Sequence, residues 1–338
     1  MCGPTTLSKA GAETTKAPIN VVLEQPTLFS RYACATTMAA IFGIWGKIAF
    51  YGHSGNGTYD ESKFPGVGMD MHHWKVPLAL TSGYLLALPL LRAFSKKFIS
   101  ETIDVKVLLK ETMVVYNGGQ VLLNGWMVYR FIDALVNNQH PFIGDIFTVN
   151  TGATFAVYIH YMDKYLEFFD TFFMVLRGRM DQVSFLHIYH HVSITWAWWF
   201  AIGSFPGGDA YFGALLNSWI HVMMYSYYAL SLLKFPCPWK RYITQAQLLQ
   251  FTSVVVYTAF SVPIVYNKGI AESKHYQCYF VQTFEMVSLF YLFSLFYAKA
   301  YKKKKMKRLS SESEIVPEQS SVTSDSSDSS SGDSKKEQ

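Results

Sequence analysis

Charge is what this sequence lacks. Only 16% of its 338 residues are Asp, Glu, Lys or Arg, while 50% are hydrophobic and 17% aromatic, and the mean hydropathy is +0.13. A soluble domain carries charge at about a quarter of its positions. Cysteine is scarce too. Cys2, Cys34, Cys237 and Cys278 stand far apart with no CxxC or zinc spacing, which excludes a disulfide scaffold and a thiol–metal site. The first 30 residues lack the charged, apolar and small-residue zones of a cleaved leader, so none is expected. Residues 309–338 are the opposite extreme: seven acids and two lysines in a Ser-rich run that cannot bury a core and is expected to be disordered. The tail holds net −5 of a chain whose total is +5, which leaves +10 on residues 1–308. An ordinary soluble globular protein is excluded, and an integral membrane protein with a cytosolic tail is expected.

Apolar stretches of about 20 residues, the length needed to cross a bilayer, occur at 32–50, 77–94, 112–132, 153–176, 184–203, 211–233, 246–266 and 279–300. Seven of these form the expected all-α, polytopic core. The first, rich in small residues and holding Lys47, is a candidate eighth span. Basic residues mark alternate connections: Lys96, Lys97, Lys106 and Lys110; Arg177 and Arg179; Lys234, Lys240 and Arg241; then Lys302–Lys305, Lys307 and Arg308. Positive loops stay cytoplasmic, so strict alternation puts this set and the C-terminus in the cytosol. The last run reads first as a stop-transfer anchor and second as a patch for anionic lipid, with a further role in gathering the phosphates of CoA as a hypothesis. The sequon Asn56-Gly57-Thr58 falls on the lumenal side in this scheme, and Lys335-Lys336 near the carboxyl end is similar to a dilysine retrieval signal.

Ionisable groups inside such spans cost roughly 2.5–3.5 kcal/mol each at mid-membrane, so each needs a partner, a wet cavity or an interfacial position. Four consecutive spans carry polar stripes at helical spacing. Lys164, Glu167, Asp170 and Thr171 share a face of 153–176, where an internal Lys164–Glu167 ion pair is the simplest reading. His187, His190 and His191 form HxxHH in 184–203. Asn217, His221, Met224, Tyr225 and Tyr228 share a face of 211–233, with Tyr227 pointing elsewhere. Thr244, Gln247 and Gln250 follow at three-residue steps, in a pattern that also suits plain helix–helix hydrogen bonding. Together the stripes demand a shared, water-bearing interior, and the apolar faces of the same helices extend it into a greasy tunnel. A polar reacting head joined to a long apolar chain describes an acyl substrate.

One HxxHH among ten scattered histidines is too few ligands for a di-iron centre of the desaturase type. Without a metal, imidazole with a pKa near 6.5 is largely neutral at cytosolic pH and can attack a thioester. Lys164-Tyr-Leu-Glu167-Phe-Phe-Asp170-Thr171 reads KxxExxDT. His187-Ile-Tyr-His190-His191 is the histidine box, and the segments 217–228 and 244–250 read NxxxHxxMYxxY and TxxQxxQ. With these four motifs in order, residues 77–301 resemble the ELO family of fatty acid elongases. That resemblance implies seven core helices with a six-helix barrel around a substrate tunnel, in the endoplasmic reticulum membrane. It implies condensation of acyl-CoA with malonyl-CoA to a 3-oxoacyl-CoA two carbons longer, with no metal or redox cofactor and no nucleic-acid partner. It further implies His190 as the acyl acceptor, with His187, His191 and His221 positioning groups, relaying protons or stabilising the enolate. The same resemblance implies that Lys164, Glu167 and Asp170 organise the pocket and that Gln247 contributes to its lining. Membrane lipid and the other enzymes of the elongation cycle are the partners it implies; homo-oligomerisation is left open. Gln182, five before the first box histidine, resembles the polyunsaturated-acyl branch. Residues 1–76 form an N-terminal region and 302–338 a basic anchor and tail. A non-enzymatic polytopic receptor or lipid carrier would explain the spans and basic loops but not charged stripes on adjacent helices.

Overall fold

The computed structural model describes residues 23–51, 72–99, 103–148 and 151–313. The sequon at Asn56, the Lys335-Lys336 pair and the tail from residue 314 onward lie outside the described residues. Among the described residues the chain is helical, with one isolated bridge between Glu24 and Ile103 and no strand. Each expected span has its helix: α1 (Leu28–Gly46), α2 (Lys75–Phe94), α4 (Lys110–Val136), α5 (Ala153–Leu166) with α6 (Phe168–Leu176), α7 (Phe185–Ser204), α8 (Ala210–Leu232), α9 (Ile243–Asn267) and α10 (Ser273–Ser313). A single turn, α3 (Val105–Leu108), precedes α4.

Four segments are long and apolar enough to cross a membrane by length and composition: Leu28–Phe50, Lys75–Lys97, Pro238–Asn267 and Ser273–Lys299. The candidate first span is therefore among them. Helices α5 to α8, which carry the first three polar stripes, are not. They are instead the more deeply buried ones: of the residues of α5 only Phe155 and Tyr165 are less than fully buried. The apolar segments are the more exposed and the polar-striped helices α5 to α8 are wrapped by protein, as the cost of a bare polar group in hydrocarbon requires.

The ends of the helices pair as an alternating multi-pass chain demands. At the end bearing the basic loops, Arg31 of α1 forms a two-pronged ion pair with Glu111 of α4, and Ser95, just past α2, donates to the carbonyl of Leu176 at the end of α6 (3.0 Å). At the other end His72 stacks on Trp199 of α7, and the α4–α5 connection accepts from Tyr211 of α8 (2.8 Å to Phe142) and from Lys268 beyond α9 (2.7 Å to Gly144).

That connection holds His140, which is 4% exposed, with Nδ1 at 3.2 Å from Thr151 Oγ1 and its ring edge-on to Tyr211. Burial holds its pKa down to about 4, against an opposing pull from the Asp209 carboxylate. Between about 4 and 6.5 the unfolded chain thus binds more protons at this site than the folded one, so the stability it contributes is complete above about pH 6.5 and is lost as pH falls toward 4. Thermal unfolding in detergent should show Tm falling across that window, less steeply in His140→Asn. Equal slopes for the two proteins would rule out a buried neutral ring.

The chain divides into two compact units, residues 1–293 and 294–338. The second begins within α10, which continues helically to Ser313. Helix thus extends through the basic run 302–308 and into residues 309–313, which were expected to be disordered. A Lys-rich run has good intrinsic helix propensity, and here it propagates from an already formed apolar helix and needs no new nucleus.

Candidate active site

The polar stripe of α5 and α6 does not run down one continuous helix. The helix breaks at Glu167 (φ −61, ψ −16), which ends α5 and precedes α6. Lys164 and Glu167 both lie at 1% exposure with Nζ and Oε1 2.5 Å apart, and Lys164 Nζ also donates to Asn217 Oδ1 of α8 at 3.1 Å. One turn further along α8, His221 Nδ1 stands 3.2 Å from the same Glu167 oxygen. One ammonium and one carboxylate thus hold α5, α6 and α8 together. Asp170, past the break, faces Tyr225 instead, whose hydroxyl donates to Asp170 Oδ2 at 2.7 Å.

The histidine box opens α7. Ser184 caps the helix, its Oγ accepting from the backbone N–H of His187 at 3.3 Å. The three rings then take separate places. His187 Nε2 lies 2.8 Å from Thr171 Oγ1, which lies 2.9 Å from the hydroxyl of Tyr84 on α2. His191 is buried, its ring centroid 4.5 Å from that of His187 and 5.3 Å from that of His190. His190 alone of the four motif histidines borders a partly open cavity lined by α7, α8, α9 and α10. Asn217, Gln250, Gln282 and Glu285 are the other polar groups of its wall, while Ile194, Trp198, Val254 and Leu289 supply apolar surface. Along α7 the lining runs from His190 to Ala201, about 16 Å of helix at 1.5 Å per residue.

Of the residues singled out from the sequence, Lys164, Glu167, Asn217 and His221 form one cluster, His187, His191 and Thr171 a second, and Asp170 with Tyr225 a third. Met224 packs beside Tyr225. Tyr228 is 37% exposed, so the cavity lining expected of it falls to others. Gln250, not Gln247, borders the cavity; Gln247 is half-buried on a neighbouring face of α9. Gln182 is exposed in the turn before α7 and does not border the cavity.

Other polar residues were not anticipated. Tyr84 anchors Thr171, and the ring of Tyr116 meets that of Tyr225 edge-on. On α4, Asn124 donates to Asp163 Oδ2 (3.2 Å) and to Gln120 Oε1 (3.1 Å), with all three fully buried. On α10, Glu285 sits in the cavity wall at 4% exposure. The signal was available in each case. Asn117, Gln120 and Asn124 recur at helical spacing in an apolar span, and Glu285 is a lone acid in another.

Asp163, Glu167 and His221 bring one ligand atom each within 4.8 Å of one another, the set among the described residues that could hold a metal ion. A cation there would compete with the Lys164 ammonium already seated on Glu167. The box histidines are not part of that set.

Comparison with known proteins bears on the family. A profile of the family described as ELO: GNS1/SUR4 family matches residues 69–309. The chain is similar to "Very long chain fatty acid elongase 5" of Tachysurus fulvidraco, 39% identical over 206 residues (57% of this chain, 66% of the relative). It is similar to the protein of the same name from Xenopus tropicalis, at 39% over 208 residues (58% and 67%), and from Homo sapiens, at 40% over 202 residues (57% and 64%). The matched segment spans about two thirds of the length of these curated relatives.

Proposed function

This chain belongs to the ELO: GNS1/SUR4 family, and from that premise we propose that it catalyses the condensing step of fatty acid elongation. A long-chain acyl-CoA and malonyl-CoA give a 3-oxoacyl-CoA two carbons longer, CO2 and CoA. The observation that carries this reading is that His190 alone among the motif histidines borders the mostly apolar cavity, beside Asn217.

In the proposed route, the neutral His190 imidazole attacks the acyl thioester carbonyl, forming an acyl-imidazole and releasing CoA as the thiol with the imidazole proton. Malonyl-CoA then loses CO2, the resulting enolate carbon attacks the acyl carbonyl, and the bond to His190 breaks as its nitrogen takes up one proton from water, which restores the neutral imidazole. No redox change occurs, and loss of CO2 drives carbon–carbon bond formation. In this route Asn217, which shares the cavity wall with His190, donates to the developing oxyanion, while the Lys164 ammonium bonded to its Oδ1 holds it in place. The protein is a multi-pass membrane protein. Its proposed setting is the endoplasmic reticulum membrane, with the basic loops and C-terminus in the cytosol and the other enzymes of the elongation cycle as partners.

Microsomes containing the chain, given labelled malonyl-CoA and an acyl-CoA, should yield a labelled 3-oxoacyl product. Absence of that product from correctly inserted protein would remove the reading. A panel of acyl-CoA substrates should show polyunsaturated chains used in preference to saturated ones, the preference suggested by the sequence around Gln182. Equal use would remove that part alone.

A further inference from the structure

Glu285 belongs to no motif used above. It stands on α10 in the wall of the cavity that His190 borders, nearly fully buried, and no ion pair among the described residues includes it. Its carboxyl instead meets two hydroxyls of α7: Ser193 Oγ at 2.6 Å from Oε1 and the Tyr189 hydroxyl at 3.4 Å from Oε2. Tyr189 precedes His190 directly and Ser193 follows it by three residues, so the two contacts bracket the turn that carries His190. The edge of Phe293, also on α10, faces the His190 ring with centroids 6.4 Å apart.

Ser193 Oγ donates to Glu285 Oε1 at 2.6 Å and also lies 2.7 Å from the Tyr189 carbonyl oxygen. The Tyr189 hydroxyl donates to Glu285 Oε2 at 3.4 Å and lies 2.8 Å from the Ser288 hydroxyl, which donates to the Glu285 backbone carbonyl at 2.9 Å. The side-chain carboxyl group therefore accepts from two hydroxyls of α7, one on each side of His190.

We propose that Glu285 is a positioning residue for His190: its carboxyl group, accepting from Ser193 and Tyr189, clamps the His190 turn of α7 to α10 and fixes where the imidazole stands in the acyl cavity. The kinetic part of this inference rests on the condensing reading; the placement of the ring does not.

The test compares E285Q, which keeps an oxygen to accept from Ser193, with E285L, which fills similar volume without hydrogen bonds. Two readouts are taken on the full chain in detergent. One is the rate at which diethyl pyrocarbonate modifies His190, located by peptide mass spectrometry. The other is elongation kinetics across pH. In E285L the His190 modification rate should change about threefold or more and kcat should fall about tenfold with KM nearly unchanged, since small misplacement of a reacting group costs rate rather than binding. E285Q should restore both to near wild type and leave the pH profile unshifted. Parallel melting curves separate a displaced ring from an unfolded protein. Should E285L not fold, Ser193→Ala removes the same clamp and carries the same expectation. E285L matching wild type in both readouts would overturn the proposal, as would E285Q failing as badly as E285L, which would mean that accepting hydrogen bonds from α7 is not what places the ring. A modification series as expected in a protein that forms no elongated product would overturn the condensing reading and leave the clamp standing.

Discussion

Alanine at His190 is expected to abolish condensation, by about 10²–10⁴-fold in kcat, while the protein folds and inserts as before. The expectation follows from placement. His190 is half-buried and borders open cavity, so truncating it removes few packing contacts, whereas His191 is enclosed beside Tyr84, Phe168 and His187. His191→Ala should therefore lower Tm as well as rate, and the two effects should separate cleanly between the neighbouring histidines. Incubation with labelled acyl-CoA alone should leave label on wild-type protein that is absent from H190A. Retention of more than about a tenth of wild-type kcat by folded H190A would be too much for loss of the acyl acceptor, given the 10²-fold floor expected for such groups.

Loss of Lys164 should have the largest effect on stability. In Lys164→Met the Glu167 carboxylate, at 1% exposure, keeps only the His221 ring at 3.2 Å as a basic neighbour. Removing one partner of a buried ion pair costs about 3–5 kcal/mol, because the remaining charge is left desolvated. For a chain of this size that corresponds to a fall in Tm of about 4–7 °C. The double variant Lys164→Met with Glu167→Leu should recover part of the loss, since it removes the stranded charge. The measurement is melting in detergent of both single variants and the double. A Lys164→Met protein that melts within about 2 °C of wild type, where 3–5 kcal/mol is expected, would show that the pair does not hold α5, α6 and α8 together.

The spans, the motif residues and the demand for an enclosed polar interior were legible because membrane insertion punishes polar groups without regard to context. A stripe of Lys164, Glu167 and Asp170, or three histidines in five residues, stands out against hydrocarbon-soluble neighbours. The same rule exposes Glu285 and the Gln120–Asn124 pair, which a search limited to stripes of several groups passes over. Individual contacts were less legible. Period alone puts Asp170 on the face of Lys164 and Glu167, but the helix break at Glu167 turns it toward Tyr225. Period also cannot choose between Gln247 and Gln250, because which one faces the cavity depends on the rotation of α9 against α10.

The amino-acid sequence by itself determined that this is an all-α membrane protein, and which side chains had to be hidden from lipid. Hydrophobicity and helical period are properties of a segment and its solvent, and need no partner to be read. Tertiary structure decided which histidine meets the cavity, which residues of α8 join the Lys164–Glu167 pair, and which helix supplies the clamp behind His190. Those depend on helix breaks and rotations set by packing between segments far apart in the chain, and no local pattern encodes them.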